Sequence, residues 1–379
     1  MHEASVNVAE LEKAFQKNFT HRGELGASVS VWRRGEEVVS LHHGWCEREQ
    51  QRPWTAATLV PFYSTTKGLS AATLLAVLDR HGLTPDDMVR SVWEAFPVEQ
   101  GTLGQLMSHR LGLVALDKAV STWDHDAVIS AVEEQEPNWP LDGPGTGHGY
   151  HPRVLGFIQD EIVRRITGRT LGRMWRELIA EPLELDAWIG LPESEFGRVA
   201  TLYPGKQDKA DLDSGFYKEL HTPASLVKRG FFSPKGMHSV REMNEPRAWQ
   251  AGFPAMGGVG NASSVARFYQ AACGAIDFFP PQVREWMGSV RCTGMDKVLQ
   301  SPTSFSCGFQ FDPLDGFGRK LRHHYGLSRR AFGHPGAGGS HAFGDPESGL
   351  SFCYIMNQME LSPFPKEKCL DMIKAIYVL

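Results

Sequence analysis

The sequence has few of the features that mark metal, nucleotide or disulfide chemistry. It contains no HExxH motif, no P-loop, no GxGxxG fingerprint and no CxxC pair. Its six cysteines are scattered, several in apolar runs such as residues 352–354, which favours free buried thiols over disulfides. The histidine pairs at 42–43 and 323–324 would point to opposite faces of a strand. We therefore expect no metal ion and no cofactor.

Long apolar runs and blocks of like charge are also missing. The net charge is −5 and the hydrophobic content is 41%, which is enough for a substantial core. No run has the length of a membrane span, and no basic block indicates nucleic acid or an acidic membrane as a partner. Residues 1–5 carry no basic start and no apolar stretch, so we expect no secretory signal and a cytoplasmic location. The sequence leaves open whether the protein forms a homo-oligomer.

The stretch that carries chemistry is PFYSTTKG at residues 61–68. A short β-branched segment precedes it, and the Ala/Leu/Val run at 69–78 predicts a buried helix with Ser64 and Lys67 in its first turn. Three residues apart on a helix, the two side chains would share one face. A serine hydroxyl needs a base beside it, and a lysine can serve when burial or nearby cations disfavour its charge. The amino end of a helix also suits a developing oxyanion.

The same spacing has an ordinary interpretation. A serine that caps a helix, followed by a solvated lysine, gives the pattern without any chemistry. The chain contains a second copy, Ser225 and Lys228, which follows a Thr-Pro pair and runs into Arg229 and Gly230. We expect the second copy to lie in a surface turn, and the buried helix favours the first copy as the functional one.

The periodicity of apolar residues predicts helices and strands in separate parts of the chain. We expect a hairpin at 26–41 and a capping box at 102–105. Predicted helices lie at 8–19, 126–134, 153–166, 170–180, 264–275 and 365–379. Predicted strands lie at 305–311, 329–333, 339–343 and 350–356.

These elements indicate an α+β fold in which both chain ends build one antiparallel sheet, flanked by the amino- and carboxy-terminal helices. We expect residues 1–82 and 261–379 to form the sheet lobe, and residues 83–260 to form an inserted, mainly helical lobe with the ligand site in the cleft between them. The polar segment 202–246 is either an irregular excursion or a flap over that cleft. With residues 252–256 it is our candidate lining for an acyl pocket.

Two further stretches are candidates for completing a site. Tyr150 ends the glycine-rich loop 143–149 and precedes a predicted helix, where a phenol can pass a proton. A partly buried tyrosine with no such role is the alternative. In FGHPGAGGS at 332–340, glycines would let a ligand approach a strand edge closely, and a free N–H could stabilise an oxyanion. A plain glycine-rich hairpin is the alternative there.

The order STTK at 64–67, Tyr150, then HPG at 334–336 resembles the serine β-lactamases and penicillin-binding proteins, whose SxxK, YxN and KTG elements occur in that order. The branch it resembles most is the class C-like family VIII carboxylesterases. The resemblance spans most of the chain, and its other matching stretches lie at residues 106–113, 166–172, 181–186, 258–264, 333–340 and 350–357.

The resemblance implies a β-lactamase/transpeptidase-like fold and a set of roles. Ser64 would be the acylated nucleophile, Lys67 would help to deprotonate it, and Tyr150 would relay the proton to the leaving group. The backbone N–H groups of Ser64 and Ala337 would form the oxyanion hole. Together with His334 and Gly336, Ala337 would contact the substrate.

Two departures from the family pattern bear on the substrate. Pro152 stands where the YxN element has asparagine, and His334 and Pro335 replace the lysine and threonine of KTG. Proline donates no hydrogen bond, and histidine is mostly neutral near pH 7. Both changes argue against a β-lactam carboxylate and favour an uncharged ester. A hydrogen bond from His334 to Tyr150 is a further hypothesis.

The sequence therefore predicts a serine carboxylesterase that acts on a small-molecule ester through an acyl-enzyme. The same acyl-enzyme could instead pass its acyl group to an alcohol or amine, or could come from a β-lactam or a D-amino-acid peptide. A catalytically silent binding module on the same scaffold is the alternative of another class. No GxSxG elbow is present, which argues against an α/β-hydrolase.

Overall fold

The computed structural model describes residues 6–143, 145–206 and 212–377. Four parts of the chain lie outside the described residues: 1–5, Pro144 of the glycine-rich loop, 207–211 of the polar segment, and 378–379 at the end of the last predicted helix. The α-helices are α1 Val8–His21, α2 Thr66–Arg80, α3 Leu103–Met107, α4 His125–Glu133, α5 Val154–Thr167, α6 Leu171–Trp175, α7 Gly215–His221, α8 Leu226–Phe232, α9 Val240–Met243, α10 Pro246–Ala251, α11 Ala262–Ala272, α12 Pro281–Gly288 and α13 Glu367–Ile376. Shorter helical turns are Val89–Ser91, Arg176–Ala180 and Glu193–Arg198.

The strands form two antiparallel sheets. They are β1 Gly26–Arg33, β2 Glu36–Gly44, β3 Val60–Pro61, β4 Ala187–Ile189, β5 Gly258–Gly260, β6 Cys292–Met295, β7 Pro302–Phe305, β8 Gln310–Phe311, β9 Phe332–Pro335, β10 His341–Asp345 and β11 Leu350–Met356. The large sheet has the order β2-β1-β11-β10-β9-β8-β7-β6, and the small one has the order β3-β5-β4.

The large sheet joins the two ends of the chain, as predicted. β1 pairs with β11 with Val29 opposite Tyr354, so the first strand of the chain lies beside the last. α1 and α13 pack together on one face of the sheet, over a core that contains Leu11, Phe15, Val29, Phe352, Met372 and Ile373. α11 covers the other face against β1, β10 and β11. The predicted α+β class is confirmed.

α2 lies at the centre of the molecule, where it packs against α5, α6, α12 and β9. Twelve of its residues are buried, because apolar or small side chains occupy almost every position of its sequence. Such a helix is stable only when it is surrounded by other elements. The predicted buried helix is therefore confirmed, although it begins at Thr66, so that Ser64 lies in the preceding turn.

Several sequence predictions were wrong in detail. The single strand predicted at 305–311 is two strands, because Gly308 at φ +86° turns the chain between β7 and β8. The strand predicted at 329–333 begins three residues later, at Phe332. The second Ser-x-x-Lys copy is the start of α8 and not a turn. β6 and α12 were not predicted, and the two-lobe division remains a prediction.

Other expectations concern the thiols and the membrane. All six cysteines are free; four are buried, and Cys273 and Cys292 are half-buried. Within the described residues, none of the helices is both long enough and apolar enough to cross a bilayer.

Candidate active site

The Ser64 turn connects β3 to α2 and is anchored to the glycine-rich run of the large sheet. Tyr63 has a left-handed φ of +46°, which reverses the chain just before the serine. The hydroxyl of Ser340 donates to the Phe62 carbonyl at 2.9 Å, and Thr65 Oγ1 donates to Ser340 Oγ at 3.3 Å. These bonds fix the turn from a segment about 275 residues away in the sequence.

Gly336 is needed for this close approach. A Cβ at this position would lie 2.2 Å from the Phe62 carbonyl oxygen and 2.2 Å from Ser340 Oγ. Real Cβ atoms do not approach other atoms so closely, so a larger residue would push the run away from the Ser64 turn. The sequence predicted that Gly336 contacts substrate, and the structure places it against the protein's own backbone at the end of β9.

Lys67 is buried beside Ser64 and has three polar neighbours. Its Nζ lies 3.3 Å from Ser64 Oγ and 2.8 Å from each of the carbonyl oxygens of Pro152 and Ala255. Only 2% of the residue is exposed. Burial, reinforced by the charge of Arg153, holds the pKa of Lys67 well below its usual range. The sequence analysis named burial or a nearby cation as what a lysine base needs, and Lys67 has both.

The two carbonyls define where the lone pair of a neutral lysine points. A neutral amine has two N–H donors and one lone pair, and the carbonyls of Pro152 and Ala255 can take only hydrogens. The remaining direction faces Ser64 Oγ, so the lone pair can accept the serine proton. Once Lys67 carries that proton, the third hydrogen points back to the same oxygen. No movement of the side chain is needed between the two states.

Arg153 supplies a buried cation that was not predicted as a site residue. Its guanidinium donates to the Met237 carbonyl at 3.0 Å, to His238 Nδ1 at 2.8 Å and to the Gly236 carbonyl. Burial lowers the pKa of Arg153 to about 10, with the carboxylate of Glu242 opposing the shift. Arg153 therefore stays charged at neutral pH and disfavours a second charge on the neighbouring lysine.

Tyr150 completes the group around the serine. Its hydroxyl shares a hydrogen bond with Ser64, and its ring centroid lies 4.8 Å from Lys67 Nζ. The residue is 4% exposed. Burial raises the pKa of Tyr150 above its usual range, a shift that the hydrogen bond with Ser64 only partly offsets. Near neutral pH the side chain is therefore a phenol, which has a proton to give.

Asp296, which the sequence analysis missed, anchors the backbone of Tyr150. Its two carboxylate oxygens accept the Tyr150 backbone N–H at 3.0 and 3.1 Å. The same carboxylate accepts from the N–H groups of Val298 and Leu299, both at 2.8 Å, and from the Thr303 hydroxyl at 3.0 Å. A lone aspartate in a loop gives no periodic or motif signal, so only its contact with Tyr150 identifies it.

Buried histidines form the wall behind the tyrosine. His151 donates its backbone N–H to His109 Nδ1 at 3.1 Å, and its own ring binds the Gly149 carbonyl and the Leu113 N–H. The His109 ring centroid lies 5.1 Å from that of Tyr150. Burial lowers the pKa of His151 to about 3 and puts that of His109 well below its usual range. The wall is therefore uncharged and does not compete with Lys67 for a proton.

His334 lies in the site, but without the predicted hydrogen bond to Tyr150. Its Nδ1 is 2.7 Å from the Pro335 carbonyl, which can only accept, so Nδ1 carries the proton. Its Nε2 is buried and has no hydrogen-bond partner in the described part of the chain, while its ring centroid lies 5.8 Å from that of Tyr150. Burial, together with the charge of Lys67, keeps the pKa of His334 well below its usual range. The predicted bond is wrong, and this position holds no cation.

A cleft cavity of about 280 Å³ opens onto Ser64 and Ala337. Apolar side chains line much of it: Phe216, Tyr217, Leu220, Phe231, Met237, Val240, Met256, Met359 and Leu361. Most of them come from 202–246 and 252–256, the segments expected to line an acyl pocket. Among the described residues, neither the Ser64 nor the Ala337 N–H has an acceptor, and no group of three or more metal-binding side chains is placed to hold an ion.

Comparison with known proteins places this cleft in a family context. Residues 10–370 match the family model described as beta-lactamase. The chain is 28% identical over 365 residues to the esterase/beta-lactamase LipL of Mycobacterium tuberculosis, covering 93% of this chain and 81% of that protein. A penicillin-binding protein homologue from Caulobacter crescentus has 32% identity and a TM-score of 0.81 over 98% of this chain and 97% of that one. A family VIII carboxylesterase has 29% identity and a TM-score of 0.84 over 100% and 98% of the two chains.

Proposed function

The chain belongs to the beta-lactamase family, and from that premise we propose that it is a serine hydrolase that cleaves carboxylic esters through an acyl-enzyme on Ser64. The observation that supports the proposal most is the environment of Lys67. A buried amine, with two carbonyls taking its hydrogens and the serine hydroxyl facing its lone pair, is a base ready to receive the Ser64 proton.

In the acylation step, Ser64 Oγ passes its proton to Lys67 Nζ and attacks the carbonyl carbon of the ester. The carbonyl oxygen becomes an oxyanion, for which the N–H groups of Ser64 and Ala337 are the available donors at the mouth of the cleft. When the C–O bond breaks, the leaving alkoxide takes the phenolic proton of Tyr150. The proton held by Lys67 then passes to the Tyr150 phenolate, which restores the phenol and the neutral amine.

Deacylation repeats these steps with water as the nucleophile. Water gives a proton to the Lys67–Tyr150 pair and attacks the acyl carbon, and Ser64 Oγ leaves and regains its proton. Acid and base exchange roles between the two halves, as microscopic reversibility requires. The carbonyls of Pro152 and Ala255 hold Lys67 Nζ beside Ser64 Oγ, so the amine can serve in both halves of the cycle from one position.

Two features favour an ester over a β-lactam. Pro152 and Pro335 supply no side-chain donors, and the neutral His334 supplies no positive charge for a carboxylate. The lining of the cleft is largely apolar. An uncharged acyl group therefore loses less solvation on entering it than an anionic substrate would.

Labelling with a fluorophosphonate, followed by peptide mass spectrometry, tests the proposal directly. We expect one adduct, on the peptide that contains Ser64, together with hydrolysis of p-nitrophenyl esters. An adduct on another serine would overturn the assignment of the nucleophile. Turnover of nitrocefin as efficient as ester turnover would overturn the choice of substrate, and the absence of any adduct would favour a silent binding module.

A further inference from the structure

One carboxyl group in the cleft has no role in the proposed acyl transfer. Glu360 follows β11 and lines the same cavity as Ser64 and Ala337. Its backbone N–H donates to the Gly338 carbonyl at 2.8 Å, which ties it to the glycine-rich run beside the proposed oxyanion hole. The side chain is therefore held at the wall of the cavity that the substrate would enter.

The carboxyl group of Glu360 has an empty acceptor position. Its Oε2 is buried and has no hydrogen-bond partner in the described part of the chain. The neighbouring cation, Lys368, is already engaged, because its Nζ lies 3.0 Å from Glu24 Oε2 and 3.2 Å from the Gln358 carbonyl. An unpaired buried carboxyl is costly unless something binds it. Burial raises the pKa of Glu360 to about 7, against the attraction of Lys368.

The other charged group of the cleft does not offer a matching site for an anion. The two terminal nitrogens of the Arg153 guanidinium are engaged by the carbonyls of Met237 and Gly236 and by Nδ1 of His238, and its Nε is buried without a partner in the described part of the chain. The apolar residues that line the cavity provide no further charge. Away from Ser64 and the two N–H groups proposed as the oxyanion hole, a ligand in this cavity therefore meets the carboxyl group of Glu360 as an open acceptor in largely apolar surroundings.

We propose that Glu360 is a specificity-determining residue that binds a cationic ammonium group of the substrate, so that the preferred substrates are carboxylic esters bearing a primary amine. This inference rests on the proposed esterase function. The apolar lining holds the carbon chain, and the ammonium group donates to the carboxylate. An ester that ends in a carboxylate would meet repulsion at the same place.

The test uses p-nitrophenyl esters of one chain length whose far end is an ammonium, a methyl or a carboxylate group. For the wild-type protein and for Glu360→Gln, the ratio of kcat/KM for the ammonium ester to kcat/KM for the methyl ester is measured at about pH 8. We expect this ratio to be about tenfold lower in Glu360→Gln, since a charge-assisted hydrogen bond is lost. The carboxylate ester should gain relative to the methyl ester in the same variant.

The pH dependence of the ratio provides a readout that a merely structural role would not change. In the wild-type protein the ratio should rise as the pH passes through about 7, because Glu360 becomes charged while the amine stays protonated. It should stay flat in Glu360→Gln. The other ionisable groups that influence Glu360 are Lys368, Glu24, Lys366 and Glu367, and they remain in both proteins.

Matched controls separate the two proposals. Glu94 is exposed and lies outside the cavity lining, so Glu94→Gln should keep the wild-type ratio. If no ester is hydrolysed, the esterase function fails. If the methyl ester is hydrolysed but the ratio is the same in the wild-type protein and Glu360→Gln, only the role of Glu360 is overturned.

Discussion

The chain contains the same four-residue pattern twice, in different surroundings. In the second copy, Ser225 Oγ accepts the Lys228 N–H at 3.1 Å and donates to the Glu219 carbonyl at 2.5 Å, so it caps α8. In the first copy, the N-cap of α2 is Thr65, and Ser64 lies one residue further out. The hydroxyl of Ser64 is therefore not used for capping and faces the amine of Lys67.

The two lysines differ as much as the serines do. Lys228 is half-buried on a surface helix, whereas Lys67 is enclosed and donates to two carbonyls from distant parts of the chain. Burial without a partner carboxylate lowers the pKa of Lys67. The comparison teaches that this motif can supply a nucleophile and a base only where the serine does not cap a helix and where the fold buries the lysine away from water.

The largest contrast is expected between the two serines. Ser64→Ala should reduce kcat/KM for a p-nitrophenyl ester by at least on the order of 10⁴-fold, because it removes the nucleophile. Ser225→Ala should keep the esterase activity but lower the free energy of unfolding by about 1 kcal/mol, because a helix cap is lost. Esterase assays and urea denaturation of both variants measure the two effects. An equal loss of activity in both variants would contradict the claim that only Ser64 acts as the nucleophile.

The lysines should differ in the same direction. Lys67→Met should lower kcat by about 10³-fold, because the base that receives the Ser64 proton is removed. Lys228→Met, which changes the same type of residue at the same spacing, should leave kcat within about twofold, since Lys228 does not line the Ser64 cavity. The measurement is kcat of both variants and the wild-type protein with the same ester. A Lys67→Met protein that is folded and fully active would refute the proposed base.

Tyr150 is a partner of the first copy, and its removal tests whether the Ser64–Lys67 pair acts alone. Tyr150→Phe keeps the ring and removes the proton that the leaving group would take. We expect kcat to fall by about 10²-fold. Esters with better leaving groups need less help from an acid, so the loss should shrink as the leaving alcohol becomes more acidic. A loss that is the same for all leaving groups would contradict the proton relay.

The smallest expected effect concerns stability against pH. Between the depressed folded pKa of Lys67 and its unfolded value near about 10.4, the unfolded chain binds one more proton than the native protein. Unfolding free energy therefore rises with pH in that window, by up to about 1.4 kcal/mol per pH unit from this group. Lys67→Met should lose this slope between about pH 8 and pH 10, whereas Lys228→Met should keep it. Denaturant titrations at several pH values measure the difference.

Much of the architecture was predictable because it depends on local patterns. The antiparallel sheet from both chain ends, the buried α2 and the capping box at Thr102 and Gln105 are all confirmed. The beta-lactamase family, indicated by the order of short motifs, is confirmed as well, and with it the β-lactamase/transpeptidase-like fold. The errors arose where one residue changes the chain direction, as Tyr63 does before Ser64 and Gly308 does between β7 and β8.

The parts of the site that were missed have no local signal. Asp296 reaches Tyr150 across 146 residues, and Glu360 is a single carboxyl in a polar segment. The role of Gly336 in binding substrate stays a prediction, and the structure adds a close neighbour that the sequence did not indicate, the Phe62 carbonyl. Which atom a residue faces depends on where the other segments lie, and residue spacing does not contain that information.

By itself, the sequence determined that Lys67 lies in the first turn of a buried helix, three residues after Ser64, because an unbroken apolar run can fold stably only in the interior. The tertiary structure decided which groups surround that lysine. Its two carbonyl partners come from Pro152 and Ala255, which are 85 and 188 residues away. Burial of this amine beside the charge of Arg153, without a carboxylate partner, is what disfavours its protonated form, and only packing of remote segments can supply such surroundings.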